Sequence, residues 1–161
     1  MKRLARTLLA AAGLGLVMAS APAWAADDVA GDWLFDTSTF DGDCKIKGYI
    51  NFRPTALKNT YTCTFESEQI CGPQNPAARY IKVQQSCTAQ RVGKQVAIKS
   101  KVMKVLDRNP PLPEGIPPEA TYLADNFIVS LTQSLTEMIG GHYDEQRQLA
   151  ARFWRDIDLI S

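Results

Sequence analysis

Apolar and polar positions alternate with period two along most of this chain, the pattern of antiparallel strands with one buried face. Residues 44–52 place Cys44, Ile46, Ile50 and Phe52 on one face and Lys45, Lys47 and Asn51 on the other. Arg53-Pro54 ends that run, because proline cannot donate to a sheet ladder. Residues 60–65 set Tyr61, Cys63 and Phe65 opposite threonines, and residues 79–89 alternate through Ile81, Val83, Gln85 and Cys87. Arg91-Val92-Gly93-Lys94 reads as a tight hairpin turn, with Gly93 free to take positive φ. Residues 95–106 follow with Val96, Ile98, Val102 and Val105, and the even-to-odd change near Val102 predicts a bulge or a bent strand. Residues 31–35, 121–132, 135–143 and 148–155 complete a set of eight strands. Two windows also admit a helix, 125–138 and 145–157, the second on the propensity of its Glu, Gln, Leu, Ala and Arg.

Five prolines fall within residues 108–118, so the segment 107–119 is neither helix nor central strand. It is either a connection stiffened by proline or a loop that caps one end of the fold through Leu112 and Ile116. Eight short strands joined mostly by tight turns predict an all-β, eight-stranded antiparallel up-and-down barrel, since closure removes the exposed strand edges. A barrel of that size is filled by side chains or holds one small ligand. Tyr49, Tyr61, Phe65 and Tyr80 are the candidate lining residues, with Leu112 and Ile116 at the mouth; the same aromatic residues could instead simply fill the core.

The first 25 residues follow a different pattern. Lys2, Arg3 and Arg6 precede an apolar run from Leu8 to Met18, and Ala23-Trp24-Ala25 is a small-x-small cleavage site. This is the pattern of a secretory signal peptide. Cleavage leaves one domain, 26–161, with 15 Lys+Arg against 17 Asp+Glu and a net charge of −2. Such a balance gives no electrostatic basis for binding nucleic acid or anionic lipid. No other apolar run reaches the roughly 18 residues of a membrane span, and no cysteine stands at the cleavage site for lipid attachment. The expected location is the periplasm or the exterior. There, Cys44, Cys63, Cys71 and Cys87 read as two disulfides; their spacing lacks the tight C-x-x-C pairs of a zinc site.

Little else suggests chemistry. His142 is the single histidine, and on a Gly-rich strand it reads as a solvated or hydrogen-bonded side chain. No nucleophile, base and acid assemble around it, so no enzyme activity, metal or cofactor is expected. Asp36, Asp41 and Asp43 form an acidic loop without the spacing of an EF-hand. Lys94, Lys99, Lys101 and Lys104 read as a charged outer face that discourages edge pairing.

Gly31-Asp32-Trp33 on the first strand, with Arg152 and Arg155 on the last, resembles the signature of the calycin superfamily: lipocalins, fatty-acid-binding proteins, avidins and a bacterial metalloprotease-inhibitor family. The resemblance implies that the Trp closes one end of the barrel and that an Arg packs over its ring by dispersion and cation–π attraction. It has limits. Few residues follow Arg155, where lipocalins carry a helix. The expected mature chain keeps two tryptophans, where avidins use several on biotin. Only residues 26–30 precede Gly31, which is short for an inhibitor's N-terminal arm. The function expected is an exported, non-catalytic binding module for a small apolar or amphipathic ligand. The alternative is a protein–protein interaction module, such as a protease inhibitor or an envelope accessory factor, contacting a periplasmic partner through residues 112–116.

Four cysteines allow three connectivities. If strands two and three turn about residues 54–58, Cys44 falls near Cys71. If strands three and four turn about position 74, Cys63 falls one diagonal step from Cys87. This arithmetic favours Cys44–Cys71 and Cys63–Cys87.

Overall fold

The computed structural model describes residues 29–73 and 79–155; the expected signal peptide lies outside them. Eight strands follow in order: β1 Gly31–Thr37, β2 Lys45–Pro54, β3 Thr60–Ile70, β4 Tyr80–Val92, β5 Gln95–Asn109, β6 Asn126–Leu131, β7 Glu137–Tyr143 and β8 Gln148–Trp154. Each pairs antiparallel with the next, and β8 returns to β1 to close an up-and-down barrel. The architecture is compatible with a calycin-like fold. No α-helix occurs among the described residues; one 3-10 turn spans Pro118–Thr121. The two windows that admitted a helix hold β6, β7 and β8. Their alternate side chains Phe127, Val129, Leu131, Met138, Ala151 and Phe153 are all buried, which period two achieves on a barrel wall and period 3.6 does not.

The alternation read from the sequence sets what faces inward. Ile46, Ile50 and Phe52 from β2, Tyr61, Cys63 and Phe65 from β3, and Ile81, Val83, Gln85 and Cys87 from β4 are buried. Gly48 occupies an inward position of β2 because its neighbours leave no room. A Cβ there would lie 2.3 Å from the Glu66 carbonyl and 2.6 Å from Cζ of Phe35. Gly140 plays the same part in β7, where a Cβ would stand 2.1 Å from the Ile128 carbonyl.

One end of the barrel is shut. Trp33 is fully buried, its indole N–H donates to the Val29 carbonyl at 2.8 Å, and the Arg155 guanidinium lies 4.5 Å from the ring centroid. Arg152 does not share this role. It sits on the outer wall, paired with Glu137 and 5.7 Å from the Trp154 ring. Mid-barrel space is filled by Phe35, Phe65, Phe127 and Phe153, whose rings stack or meet edge to face at 5.0–6.4 Å, within the range where such pairs attract.

The β4–β5 ladder slips twice, between Lys82 and Val83 and between Gln84 and Gln85. This is the bulged region anticipated near Val102. Met103 and Leu106 are the extra residues, so Val102 and Val105 turn toward the same side. β5 pairs with β6 only through residues 95–98, and beyond that the β4–β5 ribbon overhangs the wall. Two disulfides brace this half. Cys63 and Cys87 face each other across β3 and β4, and Cys44–Cys71 ties the entry of β2 to the exit of β3. These are the pairs the register arithmetic favoured.

Candidate functional site at the open mouth

The end opposite Trp33 is built differently. The proline-rich segment passes through the 3-10 turn and delivers Tyr122 onto the overhanging ribbon, where it packs with Ile81, Val83, Val102 and Val105. The capping side chain is therefore Tyr122 and not the pair singled out from the sequence. Leu112 is half-buried, and Ile116 is 44% exposed.

Beneath Tyr122 lies a layer of polar side chains shut away from solvent: Ser67, Gln85, Asp125 and His142 are each 0% exposed. Asp125 is its hub. Oδ2 accepts from Ser67 Oγ at 2.7 Å, Gln85 Nε2 at 2.5 Å and Tyr122 Oη at 3.0 Å. Oδ1 lies 2.9 Å from His142 Nε2. Gln85 returns the contact, its Oε1 accepting from the Asp125 backbone N–H at 3.0 Å, and Ser100 Oγ–H donates to the Asp125 carbonyl. Buried polar groups persist when satisfied in this way. His142 Nδ1 is the exception, buried without a partner. The Tyr122 phenol is pushed well above its ordinary value, first by burial and then by the charge of Asp125, so it stays a neutral donor.

The order of these contacts matters chemically. Activating a hydroxyl by the usual triad logic needs the imidazole between the hydroxyl and the carboxylate. Here the hydroxyls of Ser67 and Tyr122 and the imidazole of His142 all converge on the carboxylate. The layer therefore fixes Tyr122 in place and seals the aromatic interior from the mouth.

Above it opens a depression of about 490 Å³ lined by Ile81, Arg108, Tyr122, Leu123, Arg147 and the ends of neighbouring loops. Small-molecule sites commonly span about 300–1,000 Å³. Its two arginines differ. Arg147 is committed: it pairs with Asp144 at 2.7 Å and stacks 4.5 Å over Phe40. The Asp144 carboxyl is lowered against the opposing effect of burial, by the Gln146 N–H and by Arg147. Arg108 donates through one terminal nitrogen to Thr121 Oγ1 at 3.1 Å, while its Nε is buried with no partner. No carboxylate lies within ion-pair distance of Arg108 among the described residues.

The residues proposed from the sequence to line a cavity are not brought together. Tyr61 and Phe65 are core residues, Tyr61 edge-on to Phe52 at 6.2 Å and Phe65 edge-on to Phe35 at 5.9 Å. Tyr49 is on the outer wall, 42% exposed, its hydroxyl donating to Asp32 at 2.5 Å. Tyr80 is also outside, its hydroxyl 3.3 Å from Glu68 Oε1. Both follow from parity: Tyr49 lies between the inward Gly48 and Ile50, and Tyr80 precedes the inward Ile81. Sequence reasoning passed over Ser67, Asp125 and Arg108. Gln85 and His142 stand out in the sequence, though their shared partner does not. Lys94, Lys99, Lys101 and Lys104 are exposed, and Asp36 pairs with Lys45 at 2.5 Å.

Compared with protein-family models, with curated proteins and with solved structures, the chain matches none.

Proposed function

We propose that this chain is an exported, calycin-like binding module that holds a small amphipathic ligand at the mouth of its barrel, above a filled interior. The observation that carries the reading is Arg108, a cation lining an open depression with its Nε buried and unpartnered. A buried donor left unpaired costs about 1–3 kcal/mol, a cost that an anionic head group would remove. The apolar part of the ligand would lie against Ile81, Tyr122 and Leu123. The calycin likeness rests on Gly31, Trp33 and Arg155, which close the far end; Arg152 takes no part in it.

The test is calorimetric titration of the signal-peptide-free protein with dodecanoate and with dodecanol. One-site binding of dodecanoate, preference over dodecanol, and about a tenfold loss in Arg108→Gln are expected. Equal binding of the two chains, or dodecanoate binding untouched by Arg108→Gln, would overturn the reading.

A second reading, a docking module for a periplasmic protein, draws on Ile116 at 44% and Met103 at 56% exposure, apolar side chains presented on the proline-rich segment and on β5. Pull-down from periplasmic extract with Ile116→Ser and Met103→Ser variants separates it from the first.

A further inference from the structure

A second concave region lies on the outer wall, away from the mouth. The strand register aligns Trp154, Leu34 and Tyr49 in one outward row across β8, β1 and β2. The next row carries Asp36, Lys47, Glu68 and Lys82 across β1 to β4. Between the rows is a groove of about 380 Å³. Both aromatic residues are held from outside the groove: Asp32 accepts the Tyr49 hydroxyl at 2.5 Å, and Arg152 stands 5.7 Å from the Trp154 ring.

The charges of this groove cancel. Lys45, Lys47 and Lys82 face Asp36, Glu66 and Glu68, and each ammonium has a carboxylate within 4 Å: Lys45–Asp36 at 2.5 Å, Lys47–Glu68 at 3.6 Å and Lys82–Glu66 at 3.0 Å. A ligand of either net charge gains little long-range attraction here. A purely apolar ligand would strip water from six charged groups. An extended peptide finds no free strand edge, because β1, β2 and β3 are each paired on both sides, so main-chain strand addition is closed to it.

One chemistry fits what is left. Two aromatic side chains and Leu34 offer apolar contact, beside donors and acceptors in equal number. We infer that the groove of Trp154, Leu34 and Tyr49 binds a neutral saccharide. The apolar C–H face of a pyranose packs on the aromatic rings, and its hydroxyls, each both donor and acceptor, bond to the alternating ammonium and carboxylate groups. This site is independent of the mouth.

The test titrates the signal-peptide-free protein with neutral tetrasaccharides of glucose and of N-acetylglucosamine, up to about 10 mM, followed by calorimetry and by amide chemical shifts. Saturable binding of at least one, unchanged between about 50 and about 500 mM salt, is expected. Trp154→Ala and Tyr49→Ala should each weaken it about tenfold, and Arg108→Gln should leave it unchanged. A cooperative urea transition in each variant confirms that the fold is kept; Trp154→Phe, which retains a ring, should bind more tightly than Trp154→Ala. The inference is overturned by no saturable binding of either sugar, by binding that ignores the Trp154 and Tyr49 substitutions, or by a salt-dependent preference for charged oligosaccharides. Loss of binding in Arg108→Gln alone would place the sugar at the mouth and equally overturn it.

Discussion

Asp125 Oδ1 and His142 Nε2 lie 2.9 Å apart, and neither side chain has any solvent exposure. Around this pair Ser67, Gln85 and Tyr122 point their donors at the same carboxylate. Removing the acceptor leaves several buried donors unpaired at once. Asp125→Ala should therefore cost about 3 kcal/mol or more, since each buried donor left unpaired costs about 1–3 kcal/mol. Asp125→Asn retains one acceptor and should cost less, about 1–3 kcal/mol. Urea unfolding of both variants measures the difference; an Asp125→Ala protein as stable as the parent would show that the layer holds nothing together.

The shut end makes a separate prediction. Trp33→Ala removes a fully buried indole and should destabilise by about 3–5 kcal/mol. Arg155→Ala removes the stacked guanidinium and should cost about 0.5–2 kcal/mol. Arg152→Ala, on the outer wall, should stay within about 0.5 kcal/mol of the parent. Thermal unfolding of the three variants should rank them in that order, and a larger effect from Arg152 than from Arg155 would contradict the assignment of roles.

Gly48→Ala places a methyl 2.3 Å from a main-chain oxygen and 2.6 Å from the Phe35 ring. The carbonyl belongs to the β2–β3 ladder and cannot swing aside, so Phe35 must move within a packed aromatic cluster. The expected loss is about 1–3 kcal/mol, with altered shifts for Phe65, Phe127 and Phe153. Gly93→Ala is the control: a Cβ there meets nothing within 4 Å, so only the strain of its positive φ is felt.

Two carboxylates contribute to the acid limb of stability. Asp32 is lowered below its ordinary 3.8 first by the Tyr49 hydroxyl, then by Asn51. Asp144 is lowered despite the opposing effect of burial, by the Gln146 N–H and by Arg147. A carboxylate with a depressed folded value contributes stability that is present above its unfolded value and lost as pH falls through the folded one. The melting temperature should thus fall as pH drops below 3.8, and Asp32→Asn or Asp144→Asn should flatten that fall. An unchanged slope in both variants would contradict it.

The barrel was legible because its evidence is local. Alternation in residues 44–52, 60–65 and 79–89 fixes which side chains share a face, and the hairpins fix register closely enough to bring Cys63 to Cys87. The bulge near Val102 showed itself as a break in parity. The outward placement of Tyr49 and Tyr80 is also contained in parity, which decides their position over their aromatic character. The polar layer left only a partial trace, Gln85 at an inward position of the alternation in residues 79–89. Asp125 sits in a stretch with no motif, and its partners Ser67 and Gln85 come from strands 58 and 40 residues away in sequence. A buried carboxylate is recognisable only once those strands are brought together. Arg108 is similar: on a Pro-flanked strand end it reads as a surface cation, and its unpartnered Nε exists only because Tyr122 and the 3-10 turn fold back over the ribbon.

The most direct test of a mouth site over a filled barrel is an amide chemical-shift titration of the isotopically labelled protein lacking residues 1–25 with dodecanoate. Saturable shifts should concentrate at Ile81, Arg108, Tyr122, Leu123 and Arg147, with Phe65, Phe127 and Trp33 unmoved. Shifts centred on those interior residues would mean that the ligand enters the barrel, and an absence of saturable shifts at the mouth would contradict the proposed function.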